Sequence, residues 1–112
     1  MSVPVLSHAL VLEAPEAVPD GAGGFTHSWV ALGTLWAQMT PGTGVERAGE
    51  FVTLASVPWK IVVRAAPETS PRRPQPEQRF RAGRRIFRIL AIAESDRAGL
   101  YLTCFAREEV VA

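Results

Sequence analysis

Seven arginines fall within residues 72–88: Arg72, Arg73, Arg79, Arg81, Arg84, Arg85 and Arg88. They face a single acid in that stretch, Glu77. A guanidinium is planar, permanently charged and rich in paired donors, so it grips carboxylates and phosphates in two-pronged fashion. The block reads as a contact surface for nucleic acid or for an acidic protein face, or as a solvated loop of an arginine-rich chain whose one lysine is Lys60. The candidate contact residues are Arg72, Arg73, Arg79, Arg81, Arg84 and Arg85. Planar pairing favours protein carboxylates over DNA, for which lysine would serve as well.

Other reactive types are sparse. The one cysteine, Cys104, excludes an intrachain disulfide, and His8 and His27 lie far from it and from each other. Cys104 stands inside an apolar run, where a buried thiol is expected rather than a nucleophile. Glu108 and Glu109 are adjacent, so their carboxylates should point apart rather than form a pair for acid–base work. Gly21-Ala-Gly-Gly24 lacks a following Lys-Ser/Thr and precedes a strand, unlike a phosphate cradle. Trp29, Trp36 and Trp59 fit core or subunit-interface positions, or a base-stacking platform. No catalytic, cofactor or metal site is expected, and the chain is not read as an enzyme.

The elements that must position these groups belong to one domain spanning 1–112. With 47% apolar and 21% charged residues, the chain has the composition of a globular protein. Its net charge of +1 conceals two halves: residues 1–57 carry one base and five acids, residues 58–112 eleven bases and six acids. Residues 21–45 carry no formal charge, yet Gly23, Gly24, Gly33, Gln38 and Pro41 interrupt them, so no membrane helix is expected. A basic, signal-like start is missing, which points to a cytoplasmic protein.

Short apolar runs separated by turn residues predict an all-β fold: a small antiparallel barrel of about six strands with at most one short helix. Strands are expected at 8–13, 25–32, 34–40, 59–64, 85–93 and 100–107, with Phe80 and a Gly83 turn preceding the fifth. Pro15–Gly24 reads as turn throughout, and Gly33 as a bend or bulge. Residues 41–57 form a long insertion. Thr43 and Glu46 have capping-box spacing, so this segment is a short helix starting near Gly44 or an extended excursion. Pro67, Pro71, Pro74 and Pro76 make 65–79 a proline- and arginine-rich loop. The expected core includes Leu10, Trp36, Ile61, Val63, Ile89 and Leu102.

The order of several short motifs carries a resemblance. Gly24-Phe25 and Trp29 lead to Leu35-Trp-Ala-Gln-Met39 with Pro41, then Gly44-x-Glu46-Arg47, then Pro58-Trp-Lys-Ile-Val-Val-Arg64. The chain ends with Phe80-Arg-Ala-Gly83-Arg-Arg-Ile-Phe87-Arg-Ile89-Leu90 and Leu100-Tyr-Leu-Thr-Cys-Phe105. From about residue 8 to 107 the chain resembles the head–tail joining (head-closure, or stopper) proteins of long-tailed phages and of phage-like gene transfer agents. It departs from them in its longer arginine-rich loop and in its N-terminus, which lacks their basic start.

The resemblance implies a barrel that assembles as a homo-oligomeric ring in the head–tail connector. Such a ring would sit below a portal or adaptor ring and above a tail terminator or tail tube, retaining packaged double-stranded DNA. The excursion Pro41–Val57 would be the channel gate, with Thr43, Glu46, Arg47 and Glu50 on it. The protein would be made in the cytoplasm and end in the particle, with no membrane partner and no cofactor. Two other readings stand beside this one: a single-stranded nucleic-acid module on an OB-like barrel, and another connector protein, adaptor or tail terminator.

Overall fold

Period-two alternation places Leu10 and Leu12, Leu35 and Ala37, Ile61 and Val63, Phe87 and Ile89, and Leu102, Cys104 and Ala106 on one face of their strands. In the structure, a computed structural model that describes residues 3–42, 56–94 and 98–109, those faces turn inward together. The strands are β1 (His8–Pro19), β2 (Phe25–Pro41), β3 (Ser56–Arg64), β4 (Arg79–Ala82), β5 (Arg85–Glu94) and β6 (Tyr101–Glu109). They close into an antiparallel barrel in the order β1-β2-β3-β6-β5-β4, and β4 returns to β1 through Val11–Arg81, Leu12–Phe80 and Glu13–Arg79. The described residues contain no helix, so none there could cross a membrane. Among the described residues Phe80 and Phe87 are the largest fully buried side chains, and they fill the interior from β4 and β5. Each fully buried aliphatic or Phe side chain in this layer contributes about 1.5–3 kcal/mol relative to exposure.

Five of the six expected core residues are buried; Trp36 is not, being 58% exposed. Its neighbours Leu35 and Ala37 share the inward face of β2, so parity sends the indole outward. Position 37 lies opposite Val63, and a small alanine is what the closed interior takes there.

The first hairpin also differs from expectation. Strand β1 does not end at Glu13 but runs through Pro15 to Pro19, and the turn shrinks to residues 20–24. β2 is one continuous strand through Gly33 rather than two. Beyond Glu13, β1 pairs among the described residues with β2 alone, which makes it an edge where a missing proline N–H is tolerated. At the other end, Pro41 belongs to β2, and Ser56 and Val57 belong to β3, so the insertion is shorter than 41–57. Thr43, Glu46, Arg47 and Glu50 lie outside the described residues. Arg79 opens β4 instead of closing the preceding loop.

Two bulges shape the wall. Leu32 has no partner between Gly33–Leu12 and Ala31–Glu13, and Leu90 has none between Ile89–Ala106 and Ala91–Phe105. The first bulge sits where the hairpin leaves the barrel. Residues 14–19 and 25–30 then continue as a two-stranded ribbon of roughly 20 Å, at ~3.3 Å per residue. Its tip is tied by Asp20, whose Oδ1 accepts the amides of Ala22 at 2.8 Å and Gly24 at 3.1 Å. Those amide bonds hold the Asp20 carboxyl below its ordinary value.

Candidate functional site

The arginine strand β4 lies beside β1, and its alternation puts Phe80 inside while Arg79 and Arg81 face out. Glu13 shares that outer face with Val11. It is nevertheless only 5% exposed, because the two arginines cover it. Arg79 Nε donates to Glu13 Oε1 and Arg81 Nε to Oε2, each at 2.7 Å. Burial alone would push this carboxyl up, but the hydrogen bonds and charges of Arg81 and Arg79 outweigh it and hold it low. The Arg79 guanidinium also lies 4.0 Å from the centre of the Trp29 ring, and Arg88 lies 5.9 Å from it. Trp29 stands at the root of the ribbon, opposite Pro15. The clasp therefore joins barrel to ribbon: one buried carboxylate, two guanidiniums and one indole.

A second cluster closes one mouth of the barrel. Arg85 donates to Glu108 through Nε at 2.8 Å and Nη2 at 3.1 Å, and Trp59 Nε1 donates to the same carboxylate at 3.0 Å. The Arg85 bonds hold Glu108 low against burial, with help from the Trp59 indole. Trp59 packs edge-on against Phe87 at 5.9 Å, and Arg85 lies 5.0 Å from the Phe87 ring. Glu109 faces the other way and meets Arg88 at 3.4 Å, so the adjacent carboxylates do point apart. The insertion leaves from this same mouth, where the Gly42 amide donates to the Pro58 carbonyl at 2.9 Å and closes its neck.

The remaining candidate arginines divide by position. In the loop before β4, Arg73 Nη1 donates to the Ala66 carbonyl at 2.7 Å. Arg72 Nη2 donates to the Thr34 carbonyl at 2.6 Å, on the edge of β2 beyond the last β3 pairing. Gly33 beside this contact has a φ of +151°, which favours glycine, and a Cβ there would meet Arg72 Nη1 at 2.8 Å, so the guanidinium would have to shift. Arg84 is exposed at the β4–β5 turn and has no ion pair among the described residues. The structure thus brings Arg79, Arg81 and Arg85 into two intramolecular clusters, and leaves Arg72, Arg73 and Arg84 apart from them.

The three tryptophans do not form one platform. Trp29 is stacked under guanidinium, Trp59 is locked at the mouth, and Trp36 alone is broadly exposed. Trp36 borders an open groove of about 360 Å³ between β2 and the end of β3, lined also by Leu6, Arg64, Ala65, Ala66 and Arg72. Cys104 lies inside the barrel, and burial pushes its thiol up to about 12.

Sequence reading missed Glu13 and Glu108 as organising residues. For Glu13 the available signal was an acid continuing the apolar run Ala9–Leu12, in a chain with surplus arginine. For Glu108 there was none beyond its place at a strand end.

The family described as "Phage head completion protein" matches residues 1–109. A chain in the solved structure "Virion of native gene transfer agent (GTA) particle" is 66% identical. That likeness covers 98% of this chain and 100% of the other, with a TM-score of 0.80. No curated protein matches.

Proposed function

Since the chain belongs to the phage head completion protein family, we propose that it is a structural protein of a phage-like particle, completing the head at the head–tail junction. The observation that carries this reading is the whole-length likeness to a chain of a gene transfer agent virion. In this reading several copies form a ring between a portal or adaptor ring and a tail terminator or tail tube. The ring retains packaged double-stranded DNA and offers the surface on which the tail seats. Assembly takes place in the cytoplasm, and the finished ring stays in the particle.

The segment following Gly42 is the gate of this ring. Its support is the closed neck: the Gly42–Pro58 hydrogen bond and the Pro41–Trp59 pairing complete the wall before the excursion begins. The chain between them is therefore not needed to close the barrel. Deleting residues 46–53 should leave the circular dichroism and melting of the isolated protein intact, while particles lose nuclease-protected DNA. Normal DNA retention, or a protein that no longer folds, would overturn the gate. Removing the whole protein should give heads without tails; tailed particles holding their DNA would overturn the assignment to the head–tail junction.

A further inference from the structure

Resting on the ring reading, we infer that the β1–β2 ribbon of one copy docks into the Trp36 groove of a second copy. Among the described residues the ribbon has no neighbour on either edge, since β4 stops pairing at Glu13 and β3 begins only at Ala37. It exposes Val18, Val30 and, at its tip, Phe25, which is 61% exposed. An apolar strand pair with two open edges is a surface that folded proteins ordinarily cover.

Charge and shape select the partner. Residues 14–31 carry Glu16 and Asp20 and no lysine or arginine. The groove is the converse: apolar walls from Leu6, Trp36, Ala65 and Ala66, with Arg64 and Arg72 and no acid. Arg72 uses one donor on Thr34 and keeps others to offer. Its volume of about 360 Å³ has room for an aromatic side chain such as Phe25. Acidic apolar finger and basic apolar groove are thus both present on every copy.

The finger cannot fill its own groove. The groove starts at Thr34, beside the ribbon's root, while the tip lies roughly 20 Å further along the strands. Bringing the tip back would break the β1–β2 pairing. Contact between two different patches is head-to-tail, and such contacts propagate until a ring closes or a filament grows.

Cross-linking tests this, because buried Cys104 leaves the surface free of native thiols. Ala22→Cys at the tip and Thr34→Cys in the groove are both exposed positions. In assembled particles, the double variant should oxidise into a ladder of linked copies, and neither single variant should dimerise. Dimers of Ala22→Cys alone would mean that fingers meet each other, and would overturn the inference. No ladder, in particles whose mass-spectrometric stoichiometry shows several copies, would overturn finger docking while leaving the ring intact. A single copy per particle would overturn the ring itself, and the inference with it. Phe25→Asp should weaken self-association about tenfold or more with unchanged circular dichroism, since Phe25 takes no part in the core. Unchanged association would also overturn the inference.

Discussion

Replacing Glu13 by glutamine keeps the shape of the clasp and removes its charge. The carboxylate is 5% exposed and accepts from two guanidiniums at 2.7 Å. Breaking a fully buried pair costs about 3–5 kcal/mol, because the partner is left charged and uncompensated. The Arg79 and Arg81 side chains are 19% and 39% exposed, so water recovers part of that cost, and about 2–3 kcal/mol remains. For 112 residues, with an unfolding entropy near 2.1 cal/mol/K per residue, this corresponds to a melting-point drop of about 10 °C. The pH dependence gives a second handle. Glu13 is held below its ordinary value of 4.5, so its stabilising contribution is complete above that value and is lost as pH falls through the lower folded value. Thermal melts of wild type and Glu13→Gln should therefore differ at pH 7 and converge as pH falls below 4.5 through the lower folded value. A difference under about 2 °C at pH 7, or one that stays unchanged throughout an acid titration, would refute the clasp as a source of stability.

Cys104 should resist alkylation at pH 8 in the folded protein and react once the chain is unfolded, because burial pushes its thiol up to about 12; rapid labelling under native conditions would contradict its place inside the barrel. Gly33→Ala should lower stability by about 1–2 kcal/mol in denaturant titrations, since φ is +151° and the new Cβ would displace Arg72 from Thr34. Arg84→Ala with Arg88→Ala should leave melting nearly unchanged, as Arg84 is exposed and the Arg88–Glu109 pair is long and open to water. Incorporation of that variant into particles, scored by immunoblot, then reports on partner contact without a folding defect.

What was legible in the chain were the strands whose two sides meet different surroundings. Trp59–Arg64 and Leu100–Arg107 alternate cleanly because one side meets the barrel interior, and their core members are buried as expected. The ribbon was not legible. Pro15, Pro19 and the glycines around them are turn residues by type, but an unpaired edge tolerates the same types. Only the register shows that, among the described residues, β4 does not follow β1 past Glu13. Trp36 misled through its bulk: size argues for burial, while parity with Leu35 and Ala37 decides orientation. The clasp was hidden by distance along the chain, since Glu13 meets partners 66 and 68 residues away.

The arginines are more than a display of charge. Arg79 and Arg81 satisfy a carboxylate that the closed wall buries, and Arg85 covers the aromatic end of the core. Both tasks call for a planar group that can stack and donate at once, which lysine cannot do. The clasp also ties the fold to what projects from it. Strand β2 is 17 residues long, runs from the ribbon tip through the barrel wall, and ends at the neck of the insertion. Ribbon and insertion thus leave opposite ends of one strand. Along it, the Leu32 bulge at the ribbon's root is the irregularity in its pairing with β1, and the Glu13 clasp lies across that bulge. The clasp thus ties ribbon to barrel at the bulge through Glu13, Arg79, Arg81 and Trp29.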